Sequence, residues 1–153
     1  MTKRSTVHDT FVINRTFSFE RALVFEAWAS AEAKSRWFVG PKGEAQWREL
    51  DFRVGGRERL VGGRPDGRTI TFDAHYYDIV SNERIVYAYE MYIDDVRISV
   101  SVATIEFKEH EEGTQLVVTE QGVFLDEFDN ARQRQQGTEI LIDQLAEALQ
   151  RQS

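Results

Sequence analysis

The chain has 153 residues, 19 Lys plus Arg against 26 Asp plus Glu, a formal net charge of −7 and no cysteine. A chain of this length defaults to one core and needs no staple. The missing cysteines exclude disulfides, zinc–thiolate sites and thiol nucleophiles together, and the acidic balance argues against general nucleic-acid binding. No run approaches the ~20 apolar residues that span a bilayer, and the basic start has no apolar region behind it as a signal peptide would. A cytoplasmic protein is expected, with no membrane partner and about the first nine residues flexible.

In chain order, Phe11, Ile13, Phe17 and Phe19 alternate, which predicts a strand with one buried face. Ser18 is a candidate cap for a short helix over Arg21 to Ala29, where Leu23, Val24, Ala27 and Trp28 share one face. A second short helix is expected at about 31–37, stopped by Gly40-Pro41. From about 44 to 122 the pattern turns to strands. Turn signals punctuate it at Gly55-Gly56, Pro65-Asp66-Gly67, Ser81-Asn82, Asp94-Asp95 and Glu111-Glu112-Gly113. Turns this tight leave no room for crossover helices, so the sheet is antiparallel. From Asp129 the composition favours helix, with Leu141, Leu145 and Leu149 in one stripe flanked by Ile142 and Ala148.

The layout is α+β: a strand, two short helices, six antiparallel strands and a long helix. One face of a seven-stranded sheet must be covered, and only the last helix is long enough to do it. A curved sheet gripping one helix leaves a space at its open end, where ligand pockets commonly form.

Four stretches carry a family resemblance: FVINRTFSF, RALVFEAWASAEAKSRWFVGP, ELDFRVGGRERLVGGRPDG and EEGTQLVVTEQG. They resemble the activator of heat-shock-protein-90 ATPase homologue group, within the START-like (SRPBCC) superfamily. The resemblance implies a single helix-grip domain over 1–153. It also implies an aromatic residue, most often Trp, just after the glycine of the last helix; here Thr138 follows Gly137. Members include co-chaperone domains and proteins with hydrophobic ligands, so the fold leaves the function open.

The residues themselves offer a candidate ligand wall. Glu90 marks the outer face of its strand, so Ile85, Tyr87, Tyr89 and Met91 point inward. Trp37 and Leu141 join them from the helices; Trp28 and Trp47 are further candidates for the mouth. If Ile79 and Tyr77 face the cavity, strict alternation puts His75 there too, as a ligand-orienting group or base; a bulge would turn it outward. Glu120 and Arg15 each fall on the apolar face of their strand. Buried charges are rare unless paired, which predicts that the two are within salt-bridge reach or share a ligand, unless a bulge exposes one of them.

The glycines of VGGRERLVGG have no phosphate-loop spacing, no pair of histidines has metal-ligand spacing, and no nucleophile motif appears. No metal and no cofactor are expected. The preferred reading is a non-catalytic protein that binds a hydrophobic or aromatic small molecule. A cyclase- or dehydratase-like enzyme with His75 or Glu120 as base is the alternative. The third is a chaperone-interacting module or homodimer using an exposed patch at Tyr76, Val86 and Tyr92.

Overall fold

The computed structural model describes residues 4–39 and 45–152. Strands β1 (Thr6–Phe17), β2 (Ala45–Leu50), β3 (Arg57–Gly63), β4 (Thr69–Val80), β5 (Arg84–Ile93), β6 (Val96–His110) and β7 (Gly113–Leu125) form one antiparallel open sheet. Its order is β1-β7-β6-β5-β4-β3-β2. Helices α1 (Arg21–Ala29) and α2 (Ala31–Ser35) link β1 to β2, and α3 (Ala131–Gln152) ends the fold. Because β1 and β2 are the two opposite edges, this link must traverse the sheet. The buried faces of α1 and α3 share one core with the inward faces of β1, β4, β5, β6 and β7.

All five turn signals fall at the junctions of consecutive strands, with Gly113 the first residue of β7. Asn82 and Asp94 adopt left-handed backbone there, with φ of 64° and 52°, as short polar side chains tolerate. Gly113 has φ 141°, and a Cβ on it would lie 2.5 Å from the Phe17 carbonyl oxygen, so the β6–β7 turn admits only glycine without rearrangement.

Several expectations are revised at element ends. Residues Thr6 to Asp9, expected to be flexible, are strand, paired with Leu125 to Gly122. Glu20 rather than Ser18 occupies the N-cap of α1 and makes no side-chain cap. Helix α2 ends at Ser35, shorter than expected, and Trp37 and Phe38 follow in a turn whose amides bond the Lys34 carbonyl. Gly40-Pro41 lies outside the described residues. Asn130 caps α3, its Oδ1 accepting from the Gln133 amide at 2.9 Å. The stripe on α3 is buried at Ile142, Leu145, Ala148 and Leu149, while Leu141 is only half-buried. No described helix is long and apolar enough to cross a membrane.

Candidate functional site

A cavity of about 380 Å³ lies between the N-terminal half of α3 and the inner face of the sheet. Its wall is mostly apolar. Trp37 and Phe38 close it from the α2 side, Phe72 and Met91 from β4 and β5, and Leu141 from α3. Tyr87 and Tyr89 stand on the β5 face, each 4% exposed, with their rings 5.9 Å apart. Trp37 is held by its indole N–H, which donates to the Ala27 carbonyl at 2.9 Å, and Gln144 of α3 donates to the Trp37 carbonyl at 2.6 Å. The wall is therefore braced from two helices.

The space exists partly because α3 is thin where it crosses the sheet. A Cβ built on Gly137 would meet nothing within 4 Å, and Thr138 lines the cavity where the family resemblance implies a large aromatic. The neighbouring strand is also small-sided. Ser99, Ser101 and Ala103 face inward on β6, opposite Met91, Tyr89 and Tyr87. Ala103 also pairs with Glu120 on the other side, so the Tyr89 hydroxyl can cross β6 to the Glu120 carboxylate.

That crossing builds a polar cluster at one end of an apolar space. The Tyr89 hydroxyl donates to Glu120 Oε1. Arg134 of α3 donates to the Tyr89 oxygen at 3.0 Å, to Ser99 Oγ at 2.7 Å and to Asp129 Oδ2 at 2.8 Å. Glu120 is 5% exposed. Burial pushes its carboxyl above the ordinary range, opposed by the Tyr89 hydrogen bond and the Arg134 charge. Burial likewise raises the Tyr89 and Tyr87 hydroxyls, and the Glu120 charge adds to both shifts.

Behind the aromatic wall lies a second cluster. Lys34 Nζ is 2.6 Å from Glu58 Oε1, and the Tyr76 hydroxyl donates to the same oxygen at 2.6 Å. Both charged side chains are only 1% exposed. The ammonium also sits 4.4 Å from the Phe38 ring centre, a cation–π contact. Burial drives the Lys34 ammonium below the usual lysine range against the pull of Glu58. This cluster ties α2 to β3 and β4, and so fixes the turn that carries Trp37 and Phe38.

Of the sequence candidates, Trp37, Tyr87, Tyr89, Met91, Glu120 and Leu141 meet at the cavity. His75 and Tyr77 do not: His75 is exposed and Tyr77 is 66% exposed. Tyr77 is the extra residue of a β-bulge, since Tyr76 pairs with Tyr87 but Asp78 pairs with Val86. Ile79 does pack on the core, but the bulge reverses the phase before it. Phe72, Ala74 and Tyr76 point in, and His75 points out. Tyr76, expected in an outer patch, is therefore 2% exposed. Trp28 joins the cavity wall, whereas Trp47 is 44% exposed and stacks with Arg59.

Arg15 and Glu120 are not partners. In the β1–β7 register Phe11 faces Glu120 and Arg15 faces Leu116. The Arg15 guanidinium instead bonds Asp143 of α3 at 2.7 Å. Arg134, Asp129 and Ser99 were missed as site residues, as was the Lys34–Glu58–Tyr76 cluster. The signals were present: Arg134 lies seven residues before Leu141, two helical turns along the same stripe, and Glu58 shares strand parity with Leu60. No group of His, Asp and Glu among the described residues is arranged to hold a metal ion.

A single long helix over an antiparallel seven-stranded sheet, with a cavity between them, defines a START-like helix-grip protein. The family described as Activator of Hsp90 ATPase homolog 1-like protein matches over residues 18–150, and the chain belongs to it. An uncharacterised protein from Rhizobium leguminosarum is 46% identical, covering 98% of this chain and 99% of its own, with a TM-score of 0.93. A protein from Rhizobium loti is 38% identical over 94% of this chain and 99% of its own, with a TM-score of 0.87. A Staphylococcus aureus protein of unknown function shares the fold at 21% identity, covering 96% of each chain, with a TM-score of 0.74. No curated protein matches the sequence.

Proposed function

We propose that this protein binds a small hydrophobic or aromatic molecule between α3 and the sheet, and does so without catalysis. The observation that supports this most directly is the cavity itself. At about 380 Å³ it falls within the size range of small-molecule sites, and it is apolar apart from one polar end. Trp37, Tyr87, Tyr89, Met91 and Leu141 are the apolar contacts in this reading, and Glu120 is the polar one. The enzyme alternative loses His75, which stands on the outer face. The chaperone alternative rests on the family description alone, and its expected patch loses Tyr76 to the core.

The test uses N-phenyl-1-naphthylamine, a neutral dye that brightens in apolar sites. The wild-type chain should take it up in a saturable way. Thr138→Trp places a large ring in the cavity and should abolish uptake while leaving the fold intact by circular dichroism. A well-folded Thr138→Trp variant that binds the dye as the parent does would refute this site.

A further inference from the structure

The polar end of the cavity is unevenly charged, and this selects the kind of ligand that the proposed binding site can take. Among the described residues, two carboxylates and one guanidinium line the cavity: Glu120, Asp129 and Arg134. Arg134 is engaged on three sides. Its guanidinium holds Asp129 at 2.8 Å, Ser99 at 2.7 Å and Tyr89 at 3.0 Å. Asp129 neutralises it at contact distance. Glu120 is then a second carboxylate, and the described residues of the wall hold no second cation. Arg15 is turned away to Asp143, and Lys34 is bound to Glu58.

Hydrogen positions follow from donor arithmetic. Guanidinium has donors and no acceptor, so the Tyr89 oxygen receives from Arg134 and its one hydrogen goes to Glu120. Glu120 Oε1 is therefore an acceptor in use. Thr138 gives its one hydrogen to the Arg134 carbonyl at 3.0 Å, so what remains for a ligand is the other side of that carboxyl group and the Tyr87 hydroxyl. The latter lies on the cavity wall. Glu120 and Tyr87 both line the cavity, so the two face a common space.

We infer that the cavity selects neutral molecules with an apolar, ring-sized body and a hydroxyl group, and rejects carboxylates of the same shape. A hydroxyl donates to Glu120 and accepts from Tyr87, satisfying both. A ligand carboxylate meets a like charge in a dry site with its cation already taken, and a low dielectric strengthens that repulsion. It binds only by breaking the Arg134–Asp129 pair or by forcing a proton onto Glu120. A hydrocarbon of the same size leaves the carboxyl group buried and without its ligand donor.

The inference rests on the ligand-binding reading, and one experiment separates the two. The full chain, loaded with N-phenyl-1-naphthylamine at neutral pH, is titrated with 2-naphthol, 2-naphthoate or naphthalene. 2-Naphthol should displace the dye at a concentration about tenfold lower than 2-naphthoate, the ratio expected for one hydrogen bond to a charged group, and below naphthalene as well. Glu120→Gln keeps the size and the Tyr89 acceptor but removes the charge, so 2-naphthoate should gain about tenfold and the gap should close. Equal or tighter binding of 2-naphthoate to the parent chain overturns the inference, as does an unchanged ratio in Glu120→Gln. Absence of dye uptake by the parent overturns the ligand-binding reading and this inference with it.

Discussion

Lys34→Met is the most informative single substitution behind the cavity wall. Met matches the length of the Lys stem but removes the ammonium. Glu58 is then left fully buried with only the Tyr76 hydroxyl on Oε1, while its Oε2 is buried with no partner among the described residues. Removing one partner of a buried pair costs about 3–5 kcal/mol, mostly because an uncompensated charge remains. That is a large share of the roughly 5–15 kcal/mol that holds a domain together. Loss of the 4.4 Å contact between Lys34 and the Phe38 ring adds to it. Adding Glu58→Gln removes the stranded charge, so the double variant should recover much of the loss. Urea unfolding followed by tryptophan fluorescence reads this out, because Trp28 and Trp37 are 3% and 1% exposed. The single variant should lower the urea midpoint by roughly 1–3 M. A loss under about 1 kcal/mol for Lys34→Met, or a double variant as unstable as the sum of its parts, would refute the claim of a coupled buried pair.

Leu145→Ala should cost ~2–5 kcal/mol, because Leu145 is 0% exposed at the centre of the α3 stripe; thermal unfolding checks it, and a shift of less than a degree would contradict its burial. Glu120 supplies a pH dependence. Its carboxyl is held above its ordinary value of 4.5, so the unfolded chain releases that proton first. The group therefore destabilises the fold progressively as pH rises from about 4.5 through the folded-state value. The stability of the parent relative to Glu120→Gln should fall as pH rises above about 4.5, and a constant or rising difference would contradict a buried, desolvated carboxyl.

Legibility in the sequence followed the range of the interaction. Strands, turns and the α3 stripe depend on neighbours within a few residues, and alternation or turn chemistry exposes them directly. The inward set Ile85, Tyr87, Tyr89 was legible because Glu90 marks the outer face. His75 and Tyr77 failed because one unpaired residue inverts strand phase, and nothing in ITFDAHYYDIV marks which tyrosine is extra. Arg15 and Glu120 failed differently. Their faces were correct in outline, but register is a long-range property. A four-residue offset along β1 separates them by roughly 13 Å. The Arg134 cluster draws on β5, β6, α3 and the loop before it, so no local pattern in one segment announces it.

The central claim is that the space beneath α3 holds a small molecule, and native mass spectrometry of the chain purified from its source cells tests it most directly. The account predicts a released small molecule that is neutral, apolar in body and hydroxylated, bound to the parent chain and absent from Thr138→Trp. A parent chain that carries only its polypeptide mass, and still does so after incubation with 2-naphthol, would contradict it.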